Sequence, residues 1–284
     1  MAIYLETNAL RKLTDYKCKE PVYTTIFSIF ELLSGMSEKE FIVRKTCLEK
    51  IKKQKIEIRG PMIDKVFGEL LGNDFYNQFA YKMITDIYQR VLKVTNYSDY
   101  TKIRLSVTDK NGYPKIINAS SWLIEWDNHI SGITQNIDFL FSDDEESREY
   151  IKSKYKEEGI NGLAKYYFYK MFDSRIDETK LSHAEAFAGL EEIERCRQQA
   201  DNLFNKYNYR IFMTAQAAIF AEAHFINGGF QNKNNASDLL HLLYLNENDK
   251  FVSNDKIYQK INEACPEFNF VYLDNEKSLS ELLS

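Results

Sequence analysis

Short apolar runs and stretches of helical periodicity follow one another along the chain, and their order suggests how it is organised. "AIYL" (2–5) has the length and composition of a buried strand, and it is followed at once by the polar residues Glu6, Thr7 and Asn8. Helical spacing then runs through "TTIFSIFELLSG" (24–35) and "SEKEFIVRKTCLEKIKKQ" (37–54). Gly35 closes the first of these helices, while Ser37 caps the second, with Glu40 three residues on to complete a capping box. "KIEIRG" (55–60) reads as a strand ended by Gly60-Pro61. The first sixty residues thus predict β-α-α-β, which implies a parallel pair.

From Pro61 to about residue 202 the pattern is mainly helical, in "FYNQFAYKMITDIYQRVLKV", "SREYIKSKYKEEGINGLAKYYFYKMF" and "HAEAFAGLEEIERCRQQADNLFNKY". "RLSVTDKNGYPKIIN" predicts a hairpin around Asn111-Gly112. "SDDEESREYIKSKYK" reads as a helix start capped by Ser142, with acids first and lysines later, as the macrodipole favours. Alternation of strand and helix returns near the end. "RIFMTAQAAIFAEAHFI" (210–226) is apolar almost all round and predicts a buried helix. "NASDLLHLLYL" is a helix, "KFVS" (250–253) a strand, "NDKIYQKINEA" a helix, "NFVYL" (269–273) a strand and "SLSELL" a last turn. Four short strands with helical connections predict an α/β domain, a parallel sheet with helices on both faces, built from residues 1–60 and 203–284. Residues 61–202 are the predicted helical insertion.

Composition narrows this picture. Of 284 residues, 44% are hydrophobic and 28% charged, with only 4 Pro and 11 Gly, as expected of a soluble and largely helical chain. The net charge of −5 excludes a global basic field, so any nucleic-acid contact must be local. Cys18, Cys47, Cys196 and Cys265 show no metal-like spacing and predict reduced thiols in the cytoplasm. No signal segment and no run of about 18 apolar residues occurs, so a membrane partner is not expected.

In a parallel sheet every strand ends at one edge, and ligands bind beyond those ends. Glu6 follows the first strand, Asp255 follows "KFVS" by two residues, and Asp238 sits near the start of the helix that leads into that strand. Glu31, in "FSIFELLSG", is a fourth candidate on a small, polar stripe with Thr24, Ser28, Ser34 and Gly35. Clustered carboxylates repel, and some would protonate unless a cation offsets them. Mg²⁺ or Mn²⁺, hard ions with oxygen ligands, fit such a set and suit phosphodiester hydrolysis. Each acid also has a plainer role: a turn acid at Glu6, a solvated helix residue at Glu31, a first-turn acid behind an Asn235 cap at Asp238 and a helix cap at Asp255.

"IYLETN" resembles the opening strand of PIN-domain nucleases, "FSIFELLSG" resembles their second acidic motif, and "DLLHLLYLNENDKFVSND" resembles the third and fourth. The resemblance covers roughly the first 35 and last 60 residues. It implies a PIN-like three-layer α/β/α sandwich and a metal-dependent nuclease, a ribonuclease by analogy, leaving a 5′-phosphate and a 3′-hydroxyl. It implies Glu6, Glu31, Asp238 and Asp255 as catalytic, metal-binding acids, with Asn8 and Ser253 orienting them by hydrogen bonds. The family usually has Asp where Glu6 stands. That departure supports the alternative of a catalytically impaired PIN-like module that binds nucleic acid or protein. A second copy of the chain or an inhibitory protein is a further partner compatible with either reading.

A polyanionic RNA needs cations beside such acids. Arg11 and Lys12, one turn after Asn8, and Arg59, leaving the second predicted strand at the same rim, are the candidates. Lys50, Lys52, Lys53 and Lys55 read instead as a solvated helix end. "KYYFYK" (165–170) reads as core packing, with base stacking as its alternative. His241 reads as a packed residue or one that supports the ligands, His224 as a core residue, and His129 and His183 form no pair. Gly-rich cofactor turns, phosphate loops and nucleophile elbows are absent from the sequence.

Overall fold

The computed structural model describes residues 1–13, 20–63, 65–66, 79–108, 112–140, 148–177, 198, 200–222, 225, 235–274 and 279. Of residues 136–140, 148, 171–177, 235 and 236 the backbone alone is described. Cys18, Cys196, His183, His224, Asn111, the Ser142 cap, most of the helix predicted from residue 183 and the last "SLSELL" turn lie outside the described residues. The chain divides into two compact units: Met1–Gly132 with Asn248–Tyr258 and Asn269–Ser284, and Ile133–Glu247 with Gln259–Phe268. Residues 61–132 therefore belong with the sheet, and residues 203–247 belong to the second unit.

The first unit is α/β. It contains β1 (Ile3–Leu5), α1 (Thr7–Arg11), β2 (Val22–Thr25), α2 (Ile26–Leu33), α3 (Glu38–Lys53) and β3 (Glu57–Arg59). These are followed by α4 (Phe79–Val91), α5 (Tyr97–Thr101), β4 (Arg104–Thr108), β5 (Pro114–Asn118) and the first part of α6 (Ala119–Leu140). A five-stranded, wholly parallel sheet runs in the order β3-β2-β1-β6-β7, where β6 is Lys250–Ser253 and β7 is Phe270–Tyr272. β1 is the central strand, and all three of its residues are buried, as strands covered on both faces require. Tyr4, Tyr23 and Phe251 lie in register across β1, β2 and β6. Tyr4 stacks on Tyr23 at 5.1 Å and meets Phe251 edge-on at 5.2 Å, so aromatic rings fill one face of the sheet.

Five strands, not four, make the sheet. The helix predicted over 24–35 begins only at Ile26, and Val22–Thr25 is a strand that separates β1 from β3. The first sixty residues are therefore β-α-β-α-α-β, and the expected parallel pair of β1 with β3 is replaced by two pairs through β2. The aromatic and β-branched run Tyr23-Thr24-Thr25 favours the extended form. Thr25 then changes role within one residue, because its hydroxyl accepts the Ser28 N–H at 3.2 Å and caps α2. No loop separates the strand from the helix. At the other end of α2, Gly35 supplies the left-handed turn, at φ +59°. The capping box at Ser37 takes another form: the Ser37 hydroxyl donates to Glu40 Oε2 at 2.9 Å and does not accept a helix N–H. The predicted hairpin is present as the antiparallel pair β4–β5.

The second unit contains α7 (Arg148–Asp177), α8 (Tyr207–Ala221), α9 (Asn235–Leu239) and a 3₁₀ turn, Leu240–Tyr244, together with most of α10 (Ile257–Ala264). α8 is buried almost all round, as its composition predicts, and packs against α7 and the 3₁₀ turn. α7 bends sharply at Gly159, whose φ of +67° and ψ of −159° leave the helical region. Among the described residues no helix is long and apolar enough to cross a membrane. Cys47 and Cys265 are buried free thiols.

Candidate active site

The carboxyl edge of the sheet is built from the ends of β1 and β6. The Glu6 N–H still pairs with the Val252 carbonyl at 3.2 Å, which ties the backbone of Glu6 to β6 before the chain turns. Glu6 is then the N-cap of α1, with extended φ −70° and ψ 165°, and its Oε2 accepts the Asn8 N–H at 2.9 Å. The same oxygen accepts the Ser253 hydroxyl at 2.8 Å. Ser253 is the last residue of β6 and fully buried, and its Oγ also accepts the Asp255 N–H at 3.0 Å. Ser253 thus links the two acids that flank it. Asp255 Oδ1 accepts the Ile257 N–H at 3.1 Å, the capping role foreseen for it.

Glu31 approaches from α2. The buried Thr7 donates its hydroxyl to Glu31 Oε2, and one carboxylate oxygen of Glu31 lies within 4.8 Å of one of Glu6. Arg44 of α3 holds the end of α2 by donating to the carbonyls of Glu31 at 3.1 Å and Ser34 at 2.6 Å, while pairing with Glu40 at 2.8 Å. That pairing, followed by the Ser37 hydroxyl bond, holds the Glu40 carboxyl below its ordinary pKa. Glu6, Glu31 and Asp255 therefore belong to one edge of one unit, with hydroxyl or amide donors aimed at each.

The supporting residues act as follows. Ser253 serves through its side chain, whereas Asn8 contributes its backbone N–H. Arg11 is exposed in the last turn of α1, and Lys12 is its C-cap. Arg59 ends β3, with its guanidinium 4.0 Å from the Tyr23 ring centroid and ion-paired to Glu57 at 2.7 Å. Asp238 stands in the first turn of α9, in the second unit, and His241 is buried in the 3₁₀ turn after it. Thr7 is a contact that sequence reading left without a role. Its signal is the Glu-Thr-Asn tripeptide, three polar side chains where the chain leaves a buried strand.

At the opposite edge another acid is buried. Asp249, just before β6, accepts the Ala2 N–H on Oδ1 at 3.1 Å and the Tyr23 phenol on Oδ2 at 2.8 Å. Burial first, and then this bond to Asp249, push the Tyr23 phenol well above its ordinary pKa.

Comparison of the chain with protein-family models, with curated proteins and with solved structures finds no match.

Proposed function

We propose that this protein is a metal-dependent phosphodiester hydrolase, a nuclease of PIN-like type acting on RNA, with its site at the carboxyl edge of the sheet. The observation that carries the reading is the approach of Glu6 and Glu31 to within 4.8 Å, beside a Ser253 that donates to Glu6 and accepts the Asp255 backbone N–H. Glu6 and Glu31 fit Mg²⁺ or Mn²⁺: both offer carboxylate oxygens within 4.8 Å, and two oxygens across one such ion stand roughly 4.2 Å apart. Bound there, the ion would supply the Lewis acidity that makes water nucleophilic at neutral pH and would offset charge on the phosphate. Glu6 and Glu31 would hold it, and Asp255 would orient the attacking water. Ser253 and Thr7 restrict the rotamers of Glu6 and Glu31, so little reorganisation remains when a substrate arrives. Arg11 and Lys12 are its candidate phosphate contacts, whereas the guanidinium of Arg59 lies over Tyr23, paired with Glu57 and close enough to interact with Asp249.

One observation favours a second reading, a binding module with an impaired site. Hydroxyl donors from Ser253 and Thr7 already offset part of the carboxylate charge without a cation. Manganese-dependent cleavage of labelled single-stranded RNA separates the two. Cleavage that falls in both Glu31→Gln and Asp255→Asn supports the nuclease; no cleavage, or cleavage unchanged in both, supports the binding module.

A further inference from the structure

The run "KYYFYK" on α7 divides between core and surface. Tyr167 and Phe168 are fully buried, where Tyr167 meets Phe220 at 5.3 Å and Phe168 meets Phe204 at 5.2 Å. Tyr166 and Tyr169 are half-buried on the other side. There they line a groove of about 360 Å³ with Lys154, Glu158, Lys165 and Lys170. The bend at Gly159 brings the preceding turn, with Lys154 and Glu158, alongside the turn that carries Lys165 and Tyr166. Gly162 forms the floor, since a Cβ there would come within 2.2 Å of Glu158 Cβ. Glu158 is paired with Lys154, and Lys165 Nζ lies 5.6 Å from the Tyr169 ring centroid. Tyr166 packs at 5.5 Å against Tyr150, which is 55% exposed and extends the aromatic surface.

We propose that this groove binds single-stranded RNA, the lysines contacting phosphates and the Tyr166 and Tyr169 rings stacking on bases. Lys154, Lys165 and Lys170 line the groove with Glu158 as its lining carboxylate, and Asp201 accepts the Tyr169 hydroxyl beside it. Charge alone would suit any polyanion. The rings select for one with accessible base faces, which a duplex hides and an acidic peptide lacks. The groove rests on the nuclease reading for its purpose, as a holding surface for substrate, but its binding is measurable without cleavage.

The test uses the full chain carrying Glu6→Gln and Asp255→Asn, in EDTA, with anisotropy of a short labelled oligouridylate. Lys165→Gln with Lys170→Gln should weaken binding about tenfold and flatten the log–log salt slope by roughly 1.4. Tyr166→Leu with Tyr169→Leu should weaken it by about tenfold or more, while Phe at both positions restores it. Affinity unchanged by both pairs overturns the proposal, as does equal competition by polyglutamate or by duplex RNA. If the groove variants lose binding but acid variants of the wild type leave cleavage unaltered, the nuclease reading falls and the groove stands. If the wild type cleaves through its acids and the groove variants bind normally, the groove falls alone.

Discussion

Asp249 and Glu6 occupy opposite edges of the same parallel sheet and are almost equally hidden, at 6% and 4% exposure. Asp249 accepts one donor on each oxygen, an amide from β1's amino end and a phenol from β2, and so ties the starts of three strands together. Glu6 accepts both a hydroxyl and an amide on Oε2, and a second carboxylate lies within 4.8 Å of it. A buried acid is expensive unless it is hydrogen-bonded, and both are. Burial therefore does not distinguish the two acids. What separates the two is company: Asp249 interacts with the positive charge of Arg59, whereas Glu6 has a second carboxylate beside it.

That contrast can be broken by exchanging its consequences. Glu6→Gln should lower RNA cleavage by more than about 100-fold, read as initial rate at saturating Mn²⁺, with little loss of melting temperature. Ser253→Ala keeps every carboxylate but frees the rotamer of Glu6, and a loss of about 10- to 100-fold is expected in apparent Mn²⁺ affinity. Asp249→Asn should do the reverse of Glu6→Gln. Stability should fall by about 1–3 kcal/mol in urea unfolding, because one donor at the amino edge loses its acceptor, while cleavage by the folded fraction stays the same. A cleavage defect in Asp249→Asn with unchanged stability would erase the distinction.

The smallest effect concerns the phenols. Burial raises Tyr23, and it raises Tyr88 and Tyr100 to about 12. Above roughly pH 10 an unfolded tyrosine gives up its proton while these keep theirs, so the native state binds more protons and stability declines as pH rises. Tyr23→Phe should make that decline shallower in alkaline urea titrations.

Much of the carboxyl edge was legible in the sequence, because short apolar runs followed at once by acids leave few other places for those acids. "KFVSND" shows the end of β6, the hydroxyl and Asp255 within six letters. β2 was not legible, since Thr25 serves as both the last residue of a strand and the cap of a helix. A four-residue strand with no loop after it disappears into the periodicity of its neighbour. Asp249 was hidden for another reason: in "NENDKF" it has the look of an ordinary turn acid, and only the tertiary approach of Tyr23 gives it a role. The bend at Gly159 was masked by helical spacing that continues on both sides of it.

Ser253 meets Glu6 across a separation of 247 positions, at the middle of the sheet and not at its margin. Pairing so distant in sequence carries a loop-closure cost that slows folding. On the ribosome, β1 must wait unpaired on its β6 side until residue 253 has emerged, and until then Glu6 has no hydroxyl to set its carboxylate. A nascent fragment ending before that residue would carry Glu6 and Glu31 without the latch.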